Sequence, residues 1–101
     1  MGERLPSPFR FERITPNPAR VASDAIQFRY ALPAASDAWL RVVDVTGRAR
    51  AELFRGRAPA GGHQLAWRAR DASGAPLPPG VYWALLATRF GARAQKFVVI
   101  R

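Results

Sequence analysis

The sequence predicts an all-β domain, a seven-stranded antiparallel β-sandwich that is immunoglobulin-like (fibronectin III-like) in architecture. Three observations carry that expectation. Proline and glycine punctuate the chain about every 8–15 residues. The intervals between them are rich in β-branched and aromatic residues that alternate with a period of two. No segment has the 3.6-residue periodicity of an amphipathic helix. A five-stranded barrel is the main competitor, and seven segments fit it poorly. With no cysteine, the Cys–Trp–Cys hallmark of antibody domains is absent, so the likeness is one of architecture.

Each segment can be justified in turn. Residues 9–15 are strand-like with imperfect alternation, and Pro16 and Pro18 stop them because neither offers a backbone donor. In 24–32 Ile26, Phe28 and Tyr30 alternate with Gln27 and Arg29, the mark of a strand with one buried face. In 38–45 Leu40 and Val42 fall on one side, Trp39, Arg41 and Val43 on the other. Thr46-Gly47 is a tight connection to 48–55, where Arg48, Arg50 and Glu52 oppose Ala49, Ala51 and Leu53 as the second arm of a hairpin. The stretch 56–62 has three glycines, one proline and no bulky apolar residue, so it is expected to be a loop. Residues 63–68 set His63, Leu65 and Trp67 on a common face, and 71–74 read as an Asx-type turn. A proline-rich entry at 76–80 leads into 81–90, and Gly91-Ala92 turns the chain into 94–101. The near-continuous apolar character of these last two segments marks central strands.

Length sets the domain count at one, since 101 residues is an ordinary domain size. Within it, residues 1–13 form a lead-in with the first strand, and 14–101 the domain proper. Hydrophobic residues make up 49% and charged residues 23%, which excludes a disordered tail or a collagen-like repeat. Without cysteine there is no disulfide, zinc knuckle or thiol nucleophile. His63 is the single histidine, too few for a histidine metal cluster, and a hydrogen-bonded or capping role fits it better than general base. Ser7, Ser23, Ser36 and Ser73 lie in turn-like surroundings without a glycine elbow, and the 71–74 turn lacks the carboxylate ladder of a calcium loop. The expectation is therefore a protein that is not an enzyme and uses no cofactor or metal. No run of about 18 apolar residues is present, and 1–11 lacks the apolar centre of a secretory signal, so an export signal is expected elsewhere on a longer parent chain.

The charge needs its own account. The chain carries +9, with 15 arginines and Lys96 as the only lysine, split as +3 over 1–50 and +6 over 51–101. Arg48, Arg50, Arg55 and Arg57 form the closest cluster, which Arg68 and Arg70 join if their strands are neighbours; together they are the candidate anion-binding set. Arginine forks with Trp39, Trp67 and Trp83 as stacking platforms would suit nucleic acid. Abundant alanine and scarce lysine have a plainer source in GC-rich codon usage, and arginines also blunt strand edges. Nucleic acid is accordingly the weaker reading, and an anionic surface polymer fits the charge at least as well.

Five stretches in register, Ile14-Thr15-Pro16-Asn17-Pro18, Asp44-Val45-Thr46-Gly47-Arg48, Gly62-His63 with Trp67, Gly80-Val81-Tyr82, and Lys96-Phe97-Val98-Val99-Ile100-Arg101, make a pattern. It resembles the C-terminal sorting domains of the bacterial type IX secretion system, and the related immunoglobulin-like domain of the flagellar hook-cap protein shares most of these marks. The likeness runs from Ile14 to Arg101. It implies a secreted or cell-surface module, carried behind an N-terminal cargo domain and recognised by protein partners, either export machinery or assembly subunits. The chain is more basic than typical members and begins at Met1 without a cargo. The residues expected to carry recognition or to determine the fold are Pro16, Asn17, Pro18, Asp44, Gly47, Arg48, Gly80, Tyr82, Lys96 and Arg101. Each also has a structural job. The prolines withhold donors from a sheet edge. Asp44 accepts backbone N–H groups in a turn where Gly47 takes positive φ. Gly80 permits the approach to the long strand, and Tyr82 anchors it by a hydroxyl-to-backbone bond, as a tyrosine corner does.

Overall fold

Residues 8–101 are described by the computed structural model, so the first seven residues of the 1–13 lead-in lie outside the described part. Eight strands follow in chain order: β1 (Arg10–Phe11), β2 (Ala19–Arg20), β3 (Ile26–Leu32), β4 (Ser36–Asp44), β5 (Ala49–Ala58), β6 (Gly61–Trp67), β7 (Gly80–Thr88) and β8 (Gly91–Ile100). Among the described residues there is no helix. The strands form a three-stranded sheet in the order β1-β3-β6 and a five-stranded sheet in the order β2-β8-β7-β4-β5.

The period-two pattern sets which side chains meet between the sheets. Ile26, Phe28, Tyr30 and Leu32 of β3 are buried while Arg29 is exposed, and Ala38, Leu40 and Val42 of β4 are buried opposite them. Tyr82, Ala84 and Leu86 from β7 and Phe97 and Val99 from β8 complete the layer. At its centre Phe28 lies 6.1 Å from Phe97, edge to face, and Trp67 lies 6.0 and 6.3 Å from the same two rings. Tyr82 stacks on Phe97 at 5.9 Å. Burial of side chains this size is worth roughly 1.5–3 kcal/mol each, and aromatic pairing adds about 0.5–1.5 kcal/mol.

The all-β, two-sheet expectation matches; seven strands, all antiparallel, does not. The additional strand is β2, whose Ala19 and Arg20 pair in parallel with Val99 and Ile100 of β8. Two residues have no periodicity to read, and only the partner backbone makes them a strand. The first predicted strand is also shorter. β1 pairs with β3 through Phe11↔Tyr30, the Glu12 N–H donates to the Arg29 carbonyl at 2.9 Å, and the next bridge is the isolated Thr15↔Gln27, with one more residue on this side than on β3. That extra residue is why Phe11 and Ile14, an odd number apart, both reach the core.

Further departures lie along β5. Residues 56–58, expected in a loop, continue the strand because each finds a partner on β4: Gly56↔Ala38, Arg57↔Asp37 and Ala58↔Ser36. Ladder pairing overrides weak intrinsic preference here, and only Pro59 and Ala60 separate β5 from β6. Two register shifts put Leu53 and Arg50 out of the ladder, so Ala51 and Ala49 oppose Val42 and Val43, on opposite faces. The predicted single face for Ala49, Ala51 and Leu53 is thereby broken. In the last hairpin the turn is Arg89-Phe90, with Gly91 already paired to Thr88. Fully buried Ser36 holds that turn: its hydroxyl donates to the Asp37 carbonyl at 2.7 Å and accepts from Arg89 N–H at 3.2 Å.

Phe97 meets three rings, Phe28 and Trp67 of the other sheet and Tyr82 of its own. Phe97→Ala is expected to lower stability by about 3–5 kcal/mol, read as a fall in the urea midpoint; a change below about 1 kcal/mol would remove Phe97 from its central role.

Candidate protein interface at one end of the sandwich

Strand directions bring the ends of several strands together. Asp44 closes β4 opposite Tyr82, Gly80 opens β7 opposite Val99, and Val99 in turn faces Ala19. Residues from 17 to 20, 44 to 48, 80 to 82 and 97 to 100, far apart in sequence, therefore share one end of the five-stranded sheet.

At this end the proline segment has a definite task. Thr15 bridges to β3 in one sheet and Ala19 pairs with β8 in the other, so Pro16-Asn17-Pro18, with cis peptide bonds at Thr15-Pro16 and Asn17-Pro18, carries the chain between sheets. The Asn17 Oδ1 accepts the Val98 N–H at 2.9 Å, and the Val21 N–H donates to the Ile100 carbonyl at 2.9 Å. Asn17 and β2 thus cover the edge of the last strand from Val98 to Ile100.

Asp44 organises the neighbouring turn. Its Oδ1 accepts from Thr46 Oγ1 at 2.6 Å, Thr46 N–H at 2.9 Å and Arg48 N–H at 3.1 Å, while Oδ2 faces Arg50 Nη1 at 3.4 Å. Gly47 takes φ +85°, which spares the left-handed penalty a side chain would meet. The Thr46 hydroxyl, then the Thr46 and Arg48 amides and Arg50, hold the Asp44 carboxyl at about 2, against partial desolvation that pushes it up.

The same device recurs at Asp71, whose Oδ1 accepts from Ser73 Oγ at 2.6 Å, Ser73 N–H at 2.9 Å and Ala75 N–H at 3.0 Å, with Gly74 at φ +88°. The Ser73 hydroxyl, the Ala75 amide and the charge of Arg50 lower the Asp71 carboxyl. Arg50, displaced from the ladder by its bulge, therefore acts on both turns. The recurrence is visible as D-x-[ST]-G at 44–47 and 71–74. It is the signal that singling out the two turns separately passes over.

Tyr82 behaves as a tyrosine corner: its hydroxyl donates to the Pro78 carbonyl at 2.5 Å, four residues upstream, while its ring is buried. Lys96 is exposed on the outward face of β8, opposite Trp83. Arg101 is exposed, and its carbonyl accepts from Arg20 Nη1 at 3.4 Å.

The six arginines of the candidate anion-binding set divide. Arg48 and Arg50 flank the Asp44 turn, and Arg70 donates to the Gly74 carbonyl at 3.1 Å beside the Asp71 turn. Arg68 is exposed just after β6. Arg55 and Arg57 stand toward the other end of β5, seven residues beyond Arg50 in the case of Arg57, or about 23 Å at the rise of a strand. Arg55 lies over Trp39, its guanidinium 4.7 Å from the ring centroid. His63 Nε2 donates to the Pro59 carbonyl at 2.7 Å while its ring stacks on Tyr30 at 5.0 Å, and it shares its inward face with Leu65 and Trp67. Among the described residues no group of three or more His, Cys, Asp or Glu is placed to hold a metal ion, and no helix is long and apolar enough to cross a membrane.

No family model matches the chain, and no curated protein does. Solved structures do. PorZ, an essential bacterial surface component of the type-IX secretion system of Porphyromonas gingivalis, matches at TM-score 0.60 and 27% identity, over 87% of this chain and 11% of that one. Dimeric latent PorU from Porphyromonas gingivalis matches at TM-score 0.69 and 18% identity, over 93% of this chain and 10% of that one. FlgD from P. aeruginosa, the flagellar hook-cap protein, matches at TM-score 0.61 and 24% identity, over 95% of this chain and 78% of that one. The chain thus spans about a tenth of PorZ and of PorU. The likeness to PorU and FlgD is one of fold.

Two outcomes follow from this geometry. Tyr82→Phe leaves the ring in place and frees the Pro78 carbonyl, and is expected to cost about 1 kcal/mol in chemical denaturation. The Asp44 carboxyl, at about 2 in the folded chain against the ordinary 3.8, contributes stability that is complete above pH 3.8 and is lost as pH falls toward 2. Asp44→Asn is expected to be less stable than wild type at neutral pH and to show a flatter melting-temperature profile across that acid window; parallel profiles would refute the assignment.

Proposed function

We propose that this chain is a non-enzymatic module of an exported bacterial protein, serving secretion sorting or surface attachment and recognised by export machinery as a folded sandwich. The observation that carries this reading is convergence. Of the five motif stretches, those at 14–18, 44–48, 80–82 and 96–101 are separated by up to 80 residues and meet at one end of the sandwich, while Gly62-His63 pairs with Ala31 and Tyr30 toward the other. Likeness to a surface component of the type-IX system supports the same reading. The strand order also fits an immunoglobulin-like topology, with β3 and β6 as B and E, β8-β7-β4-β5 as G-F-C-C′, and β2 as the short parallel strand beside G. On this reading the protein is secreted or at the cell surface, its cargo lies N-terminal, and neither cofactor nor nucleic acid takes part. A second reading, a structural domain of a hook-cap-type assembly, is favoured by the match over 78% of FlgD.

The test is a passenger fused ahead of the chain in a host with a working type IX system. Removing the last ten residues would not isolate recognition, because it takes Phe97 and Val99 out of the core. A surface change does. Lys96→Ala is expected to leave unfolding within about 0.5 kcal/mol of wild type and to lower passenger export about tenfold, equivalent to ~1.4 kcal/mol of recognition. A wild-type fusion that stays inside the cell would sink the sorting role and leave the structural one.

A further inference from the structure

The two sheets differ on their outward faces. The three-stranded sheet follows the ordinary pattern of apolar inside and polar outside, with Gln27, Arg29 and Gln64 facing out and the Gln64 amide donating to Gln27 at 2.9 Å. The five-stranded sheet does not. Its outward cross-strand pairs include Val43↔Trp83, Val81↔Val98, Leu85↔Ala94 and Ala87↔Ala92. None of these residues belongs to the core cluster or to the apolar residues packed on it, and Val43 is nevertheless only 7% exposed, screened by its neighbours on the sheet. The apolar runs of β7 and β8 thus serve two faces, one of which points away from the other sheet.

Charge surrounds this face with one sign in excess. Arg41 stands opposite Leu85, Lys96 opposite Trp83, and Arg55 opposite Trp39. The guanidiniums of Arg41 and Arg55 lie 4.3 and 4.7 Å from the Trp39 ring centroid. Arg57 extends the row opposite Asp37. Of the two carboxylates here, Glu52 is engaged internally, accepting from Trp39 Nε1 at 2.9 Å and facing Arg55 at 3.7 Å. A recess lined by Trp39, Ala87, Arg55 and Arg89 opens beside the row.

We infer that the outward face of the five-stranded sheet docks a partner protein through an apolar segment flanked by acidic side chains. The apolar centre supplies the area and the basic rim selects the sign of the partner. A second copy of this chain is the wrong occupant: a two-fold contact through this face would set Arg41, Arg55 and Lys96 of one copy against the same basic rim of the other. Nor does the inference rest on the export reading, since the face belongs to the sheet whichever parent chain carries it.

The experiment is an NMR titration of the isotope-labelled chain with a synthetic amphipathic helical peptide of leucine and glutamate, repeated with lysine in place of glutamate. Saturable binding of the glutamate peptide is expected, with shifts at Trp83, Leu85, Val98 and the Trp39 indole, weakening as salt rises. The lysine peptide should bind about tenfold more weakly or worse. Trp83→Gln, lying outside the core, should keep the dispersed spectrum and lose about tenfold in affinity; Leu85→Gln serves if that variant fails to fold. Arg41→Glu should narrow the preference between the peptides. The inference is overturned by absence of saturable binding, by equal affinity for both peptides, by shifts centred on Gln27 and Gln64, or by a concentration-dependent dimer in sedimentation that Trp83→Gln abolishes.

Discussion

The structure depends on one aromatic joint. Phe97, fully buried near the end of β8, meets Phe28 and Trp67 of the three-stranded sheet and Tyr82 of its own. Two sheets held chiefly by side chains need such a contact where both supply rings, because edge-to-face packing fixes their separation as well as filling it. The last strand is consequently no detachable tail. Its inward side chains are core, its edge is covered by Asn17 and β2, and only its outward side chains and its first half are available to another molecule. A partner that reads the final residues reads a folded sheet.

The polar devices at the motif end serve the same rigidity. Asp44 and Asp71 each close a turn with the same three oxygen contacts, and Arg50 lies within reach of both. Arg70 is tied to the Gly74 carbonyl and Arg55 to the face of Trp39. Much of the +9 charge is thereby spread over separate local tasks. A partner with a linear array of phosphates would meet arginines at both ends of β5, with Glu52 and the bulges between them.

What the sequence could convey follows from which physics is local. β3 and β4 were legible because one face of each is buried, which writes a period of two into Ile26, Phe28, Tyr30 and into Ala38, Leu40, Val42. β1 was legible only as part of the longer strand-like stretch 9–15, and β2 was not legible, since a two-residue strand owes its existence to the backbone across from it. Residues 56–58 misled for the converse reason: glycine and arginine favour no strand, yet β4 offers each a partner. The motif residues were legible one by one, as proline, glycine and turn chemistry. Their meeting at one end was not, because it depends on strand order and direction, which no short stretch encodes.

The apolar runs of β7 and β8 carry the most instructive ambiguity. A strand that is apolar on both sides is ordinarily central and covered on both sides, as in a parallel sheet wrapped by helices. Here β7 and β8 are indeed inside the sheet order, with β4 and β2 beside them, but the second face has no layer of the sandwich over it. In sequence the two situations look the same, because alternation reports only that a side chain avoids water, not what it packs against. The difference appears in the neighbours: Trp83 and Leu85 are bordered by Lys96 and Arg41, a boundary that a wholly enclosed strand would have no cause to keep. The domain thus has a polar outward face, an apolar outward face rimmed with positive charge, and a rigid end where four of its motif stretches meet. β1 pairs beside Ala31, at the end of β3 away from that meeting point.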